Sequence, residues 1–239
     1  MYYTKDKDGN YSQPRIAIRM EGNKIGEIRG ISEHQNMEPK MEGILNKKLD
    51  EFPDKEDYLK KVHDMEVLTK VYEEYKDREL TKEEIRFLYE VDDKILGLGY
   101  QKDPRINEIL NGRNFKKDLS FAFDCTEDEI SNNKEDVLDG KKIVYFYGSL
   151  YLGGLESAEG LILPRGISMD LYLGSLGNAE GLILPKRIGG YLYLNSLKNT
   201  DGLTVHKNFE CGRLVSNYIS MEDLINKSLE ESHVKEIHK

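Results

Sequence analysis

The chain has 239 residues, 44 of them acidic and 35 basic, for a formal net charge of -9. That balance argues against a protein that coats nucleic acid, since neutralising phosphates needs a net basic face. Two cysteines, Cys125 and Cys211, are too few for a disulfide scaffold and lack zinc-site spacing. No stretch offers the ~20 apolar residues of a membrane helix.

The opening Met1-Tyr2-Tyr3-Thr4-Lys5-Asp6-Lys7-Asp8 has no apolar signal-peptide core, so a cytoplasmic location is expected. Asp6-Lys7-Asp8-Gly9-Asn10 begins like a calcium loop. Glu21 falls about four places too late to serve as its terminal ligand, so no metal is expected there. Arg15 to Gly30 reads as two alternating strands joined by a turn at Glu21-Gly22-Asn23-Lys24. From Met37 the spacing is helical, with Met41, Ile44, Leu45 and Leu49 on one face. Phe52-Pro53-Asp54 closes that helix and starts another, Asp54 as N-cap and Tyr58, Val62, Met65, Leu68 and Tyr72 along its buried side. Thr81-Lys82-Glu83-Glu84 is a capping box. It opens a helix with Ile85, Leu88, Tyr89, Val91 and Ile95, stopped by Gly97 and Gly99. Pro104 starts a short helix through Ile106, Ile109 and Leu110. Leu119, Phe121 and Phe123 alternate as in a strand. Thr126-Glu127-Asp128-Glu129 suits a short capped helix or an acidic loop, and Ile143 to Tyr147 a further strand.

A repeat follows. Blocks of 21 begin at Leu150, Leu171 and Leu192: LYLGGLESAEGLILPRGISMD, LYLGSLGNAEGLILPKRIGGY and LYLNSLKNTDGLTVHKNFECG. A partial fourth starts at Arg213, which places Val215 with Leu152, Leu173 and Leu194. A unit this short cannot bury a core alone, and stacked units close a continuous interior. Each block has two alternating segments, Leu-Tyr-Leu and Leu-Ile-Leu, with glycine and proline at the corners. The pattern predicts a short parallel β-solenoid. A leucine-rich-repeat horseshoe is the alternative, weakened because Leu155, Leu176 and Leu197 stand where its asparagine would. Ser220 to Leu229 reads as a helix capping the far end, and the tail from Ser232 as polar. The expected fold is α+β: a helical domain with a β-hairpin over 11–112, solenoid repeats with an N-terminal cap over 119–218, and a capping helix with tail over 219–239.

The SAEGLxLP unit resembles repeat segments in proteins of gut bacteria, their phages and conjugative elements. The stretches Pro14 to Met20 and Gly99 to Ile106 are similar to an N-terminal module that travels with such repeats. The resemblance implies a mobile-element setting and carries no catalytic motif.

With the leucines inward, Tyr151, Tyr172 and Tyr193 form an outward column, and Ile162, Ile183 and Thr204 a second. Exposed columns of this kind mark protein contacts, though stacked side chains also simply stabilise parallel strands. Glu159, Glu180 and Asp201 form an acidic column, and Arg165, Lys186 and Lys207 a basic one. Either column also fits a solvated corner. None of the five histidines belongs to a zinc-binding pattern, and no phosphate loop or nucleophile motif occurs. Acidic neighbours blunt Cys125 as a nucleophile. No cofactor is expected.

The leading reading is a non-enzymatic, protein-binding protein of a phage or mobile element. It takes a basic partner, for instance a nucleic-acid-binding defence effector inhibited in the manner of an anti-CRISPR or DNA mimic. Two alternatives stand beside it. One is a nucleic-acid-binding accessory protein using Arg15, Arg19, Lys24 and Arg29 on the hairpin. The other is an enzyme assembled from scattered groups such as His63, Asp64, Glu66 and Cys125.

Overall fold

A computed structural model describes residues 1–30, 37–97 and 102–231, with the side chains of 228–231 excepted. The expectations for Gly99, Leu229 and the tail from Ser232 fall outside the described residues. The strands are β1 (Tyr2–Lys5), β2 (Tyr11–Glu21), β3 (Lys24–Gly30), β4 (Ile130–Ser131), β5 (Tyr145–Phe146), β6 (Leu150–Tyr151), β7 (Gly166–Ile167), β8 (Leu171–Tyr172), β9 (Arg187–Tyr193) and β10 (Glu210–Val215). The helices are α1 (Glu42–Leu49), α2 (Lys55–Glu74), α3 (Lys82–Leu88), α4 (Pro104–Leu110), α5 (Phe115–Phe123), α6 (Lys134–Leu138) and α7 (Met221–Glu231). The chain forms two compact units, one of Met1–Glu74 with Ile95–Ile106 and the other of Tyr75–Lys94 with Asn107–Lys239. This division differs from a boundary at 112, because α3 packs with α5 in the second unit.

In the first unit β1, β2 and β3 form an antiparallel sheet in that order. The β2–β3 hairpin turns where expected, with Gly22 at φ 63°. Strand β1 went unanticipated, since its partners lie across the chain, Tyr2 opposite Ile16. The Asp6 loop closes this pair. The Asp6 carboxylate accepts the N–H groups of Asp8 and Asn10, both at 2.9 Å, and the Ser12 hydroxyl. Ile25, Leu49 and Tyr58 form the small core, with Ile28, Leu45 and Val62 against it. Asp54 stands at the head of α2, its carbonyl accepting the Tyr58 N–H at 3.0 Å. Its carboxylate is not a cap as expected. It accepts the Ile25 N–H at 2.6 Å and ties the helix to β3.

In the second unit the capping box of α3 forms, with Glu84 N–H on the Thr81 hydroxyl and Thr81 N–H on the Glu84 carboxylate. The helix ends at Leu88, well before Gly97. Glu90 takes a left-handed φ of 53°, and the Val91 N–H turns back onto the Arg86 carbonyl at 2.9 Å. Residues 115–123 are a helix and not the expected strand. Asn114 accepts the Lys116 and Lys117 N–H groups as N-cap, and the helix buries Leu119 and Ala122 while leaving Phe121 outside. Between these helices Asp118 is buried. Arg113 grips it with two hydrogen bonds of 2.7 Å, and the Tyr89 hydroxyl donates at 3.0 Å. Thr126 to Glu129 is the short capped helix.

The repeats form a parallel β-solenoid. One wall stacks Tyr145, Gly166, Arg187 and Glu210, and another stacks Leu150, Leu171, Leu192 and Leu214. Strand β9 runs through both walls. No described residue between 145 and 215 is helical, which separates this fold from the horseshoe alternative. Leu150, Leu171, Leu192, Leu173 and Leu194 are sealed in one continuous core. The period holds at 21 until the last coil, where the register slips. Glu210 pairs with Arg187, and Val215 pairs with Tyr193 and not with Leu194. His206 replaces the corner proline of the earlier coils, and a longer turn, closed by the Phe209 N–H on the His206 carbonyl, takes up the extra residues. Helix α7 caps this end, contributing Leu224 to the core beside Ile219.

Candidate functional site

The leucines of each Leu-Tyr-Leu rung face inward, so strand alternation sends Tyr151, Tyr172 and Tyr193 outward. The rings stack almost parallel, with centroids 4.5 and 4.3 Å apart. Tyr151 is 58% exposed, and the other two are partly covered by each other. The Tyr172 hydroxyl donates to Asp170 at 3.2 Å, and the other Asp170 oxygen accepts the Tyr191 N–H at 2.7 Å. Loss of water within the stack, with Tyr193 and Asp170 beside it, raises the Tyr172 phenol above the ordinary tyrosine value. The Ile162 and Ile183 side chains are exposed, and Ile183 bridges in parallel to Thr204. This second column lies on a separate wall. Turns closed by Leu155 N–H on Leu152 and Leu161 N–H on Ala158 intervene between the two.

Glu159, Glu180 and Asp201 are exposed at a corner. Their placement comes from a ladder of turn residues that the sequence reading passed over. Ser157, Asn178 and Asn199 each accept the N–H two residues on, at 3.2, 2.9 and 3.1 Å. The recurring Ser/Asn two places before an acid and a glycine was the available signal. Gly160, Gly181 and Gly202 then take φ of 73°, 77° and 71°. The expected basic column stops at two members. The slip carries Lys207 out of line with Lys186, so Glu210 stands opposite Arg187 at 2.5 Å. From 145 to 220 the chain holds six basic and six acidic residues. The solenoid itself is therefore neutral, and the excess of acid lies outside it.

The other sequence candidates have local roles. Arg15 binds Glu38 at 2.7 Å, Arg19 binds Glu21 at 2.9 Å and Arg29 binds Glu27 at 2.6 Å. Asp64 is buried, held by Lys60 at 2.7 Å and the Leu96 N–H at 2.8 Å. A shallow cleft of about 540 Å³ in the first unit is lined by Glu66, but by neither His63 nor Asp64. Cys125 belongs to the second unit, where burial and then Glu129 push its thiol pKa up. Among the described residues, no group of three or more His, Cys, Asp and Glu is placed to hold a metal. No described helix is long and apolar enough to cross a membrane. No protein family, curated protein or solved structure matches the chain.

Proposed function

We propose that the protein is a non-enzymatic binding module that meets a partner protein through the solenoid walls. Tyr151, Tyr172, Tyr193, Ile162 and Ile183 are the contact residues, and the Glu159, Glu180 and Asp201 corner is the charged rim. The stacked and partly exposed tyrosine ladder carries this reading. Its rings are rigid and already ordered, so docking against them costs little side-chain entropy. A basic partner finds its complement in the corner carboxylates and in the acidic remainder of the chain. The SAEGLxLP resemblance supports a phage or mobile-element setting, and inhibition of a nucleic-acid-binding defence effector is the particular role we propose within it. The basic residues of the hairpin support direct nucleic-acid binding poorly, since three of the four, Arg15, Arg19 and Arg29, are engaged by carboxylates.

Parallel affinity capture tests this, with wild-type bait beside Tyr172→Ser/Ile183→Lys bait. A partner should be retained by the wild type, lost from the double variant, and released as salt rises. Identical captured sets from the two baits would sink the reading.

A further inference from the structure

The three-stranded sheet of the first unit has one closed margin and one open margin. At β3 the closure comes from α2. The Asp54 carboxylate accepts the Ile25 N–H at 2.6 Å, and the Tyr58 hydroxyl oxygen accepts the Ile28 N–H. At β1 no such cover exists among the described residues. Tyr2 to Lys5 pair with β2 alone, so the backbone groups that face away from β2 have no protein partner. Pro14, opposite Tyr3, also has no N–H to offer. A cavity of about 380 Å³ lies under this margin. Tyr2, Ile16 and Ile18 of the sheet and Ile44, Leu45 and Lys48 of α1 line it, and no β3 residue does. Helix α1 buries Leu49 on the β3 side, beside Ile25, whereas Ile18, Ile44 and Leu45 stay half-buried. The β1 side of the sheet is therefore short of apolar cover.

We infer that the β1 edge takes an extended, acidic peptide segment of a partner protein as a fourth strand, with an aliphatic side chain of that segment in the cavity beneath. This site is independent of the solenoid walls. Three features define its occupant. A row of free N–H and C=O groups at strand spacing is matched by another extended backbone, whatever its sequence. Side chains of an added strand alternate, so every second one lies on the inner face beside Tyr2, where the cavity offers apolar walls. Charge supplies the third feature. Lys5 is the charged residue of β1 and Lys48 that of the cavity, and both are basic. Lys5 lies over the Tyr11 ring at 5.3 Å, with no carboxylate of the described residues in ion-pair range. Its neighbour Asp6 is bound within its own loop. Lys48 pairs with Glu51 at 2.5 Å, but both are exposed, and an incoming carboxylate replaces such a surface pair at little cost. The segment is thus acidic, the reverse of the partner that suits the solenoid corner.

Display of random dodecapeptides on phage, selected on the immobilised full chain, is the direct test, followed by fluorescence polarisation with the selected peptide. The selected sequences should alternate aliphatic and polar residues, carry acidic ones, and bind more weakly as salt rises. Methylating every second backbone nitrogen of the peptide leaves the protein untouched. In one of the two registers it should weaken binding at least ~10-fold, and in the other leave it within ~2-fold, because an edge pairs with alternate N–H groups only. Ile44→Glu should weaken binding at least ~10-fold and Lys5→Glu at least ~3-fold. Tyr172→Ser/Ile183→Lys should bind the peptide as the wild type does, so that either reading can fail while the other stands. Selection that yields no acidic, alternating peptide, equal effects of the two methylated registers, or binding that folded Ile44→Glu retains in full would each overturn the proposal.

Discussion

Gly160 and Gly202 hold the same corner in the first and third coils with nearly the same φ, 73° and 71°, yet their surroundings differ. A Cβ at Gly160 meets nothing within 4 Å, whereas one at Gly202 comes within 2.7 Å of the Glu180 Cα and 2.6 Å of its carboxylate. Gly160→Ala should cost about 1 kcal/mol from the left-handed backbone alone. Gly202→Ala should cost at least ~2 kcal/mol, since backbone must also move. Urea denaturation of the two variants checks the difference. Charge gives a second expectation at this scale. Arg86 holds the Asp92 carboxyl below the usual range, and Lys141 followed by Ser131 does the same for Asp136. A depressed acid adds stability that is complete above its unfolded value and lost as pH falls through its folded one. The urea midpoint should therefore drop below about pH 4, and at neutral pH these two groups should leave it flat. Burial pushes the Cys211 thiol up to about 11. Its alkylation at pH 8 should proceed with roughly a thousandth of the site as thiolate, and mass spectrometry over time should show it lagging a free cysteine.

At the scale of elements, the solenoid was legible because three copies of one unit report each inward position independently. Alternation inside a unit says which side chains face in, and the period says which are stacked. Where no copy existed, the reading weakened. Leu119, Phe121 and Phe123 satisfy a strand's alternation over so short a run that the N-cap at Asn114 had to decide, and it favoured a helix. Strand β1 escaped notice because its pairing is non-local. The last rung was misregistered because extra turn residues between Val205 and Glu210 leave no mark when blocks are counted at a fixed period. The tyrosine column was readable from the repeat, but its relation to the isoleucine column was not, since the intervening corner depends on backbone N–H groups donating to the Ser157 and Asn178 side chains. A solenoid grows by nearest-neighbour terms. Duplicating residues 171–191 in place should add a coil in register, lengthen the ring stack to four and raise the urea midpoint, as measured by circular dichroism. A lower midpoint would show that the coils do not stack as equivalent units.

For the whole molecule, helix α3 is remote in sequence from the coils but belongs to their compact unit. Arg86 lies over the Phe123 ring at 4.9 Å, Phe123 packs on Tyr145 at 5.0 Å, and the Tyr89 ring meets Tyr147 edge-on at 5.5 Å. A fragment of 75–239 should therefore melt well above one of 107–239, which loses Tyr89 from Asp118 and leaves that buried carboxylate with Arg113 alone. Thermal melts followed by circular dichroism would show the gap. Equal melting temperatures would mean that α3 contributes nothing to the coils. This membership was illegible from composition, because the helical residues before and after 112 share the same polar, acidic character.

The slipped pairing of β10 on β9 bears on how such a chain can lengthen over generations. Tandem copying of whole units upstream of Val205 preserves every alignment and is structurally silent. The same copying past His206 would propagate an odd-length unit and misplace each later side chain. The final coil thus acts as a terminator for expansion, and length variants of this protein should differ by multiples of 21 on its N-terminal side alone.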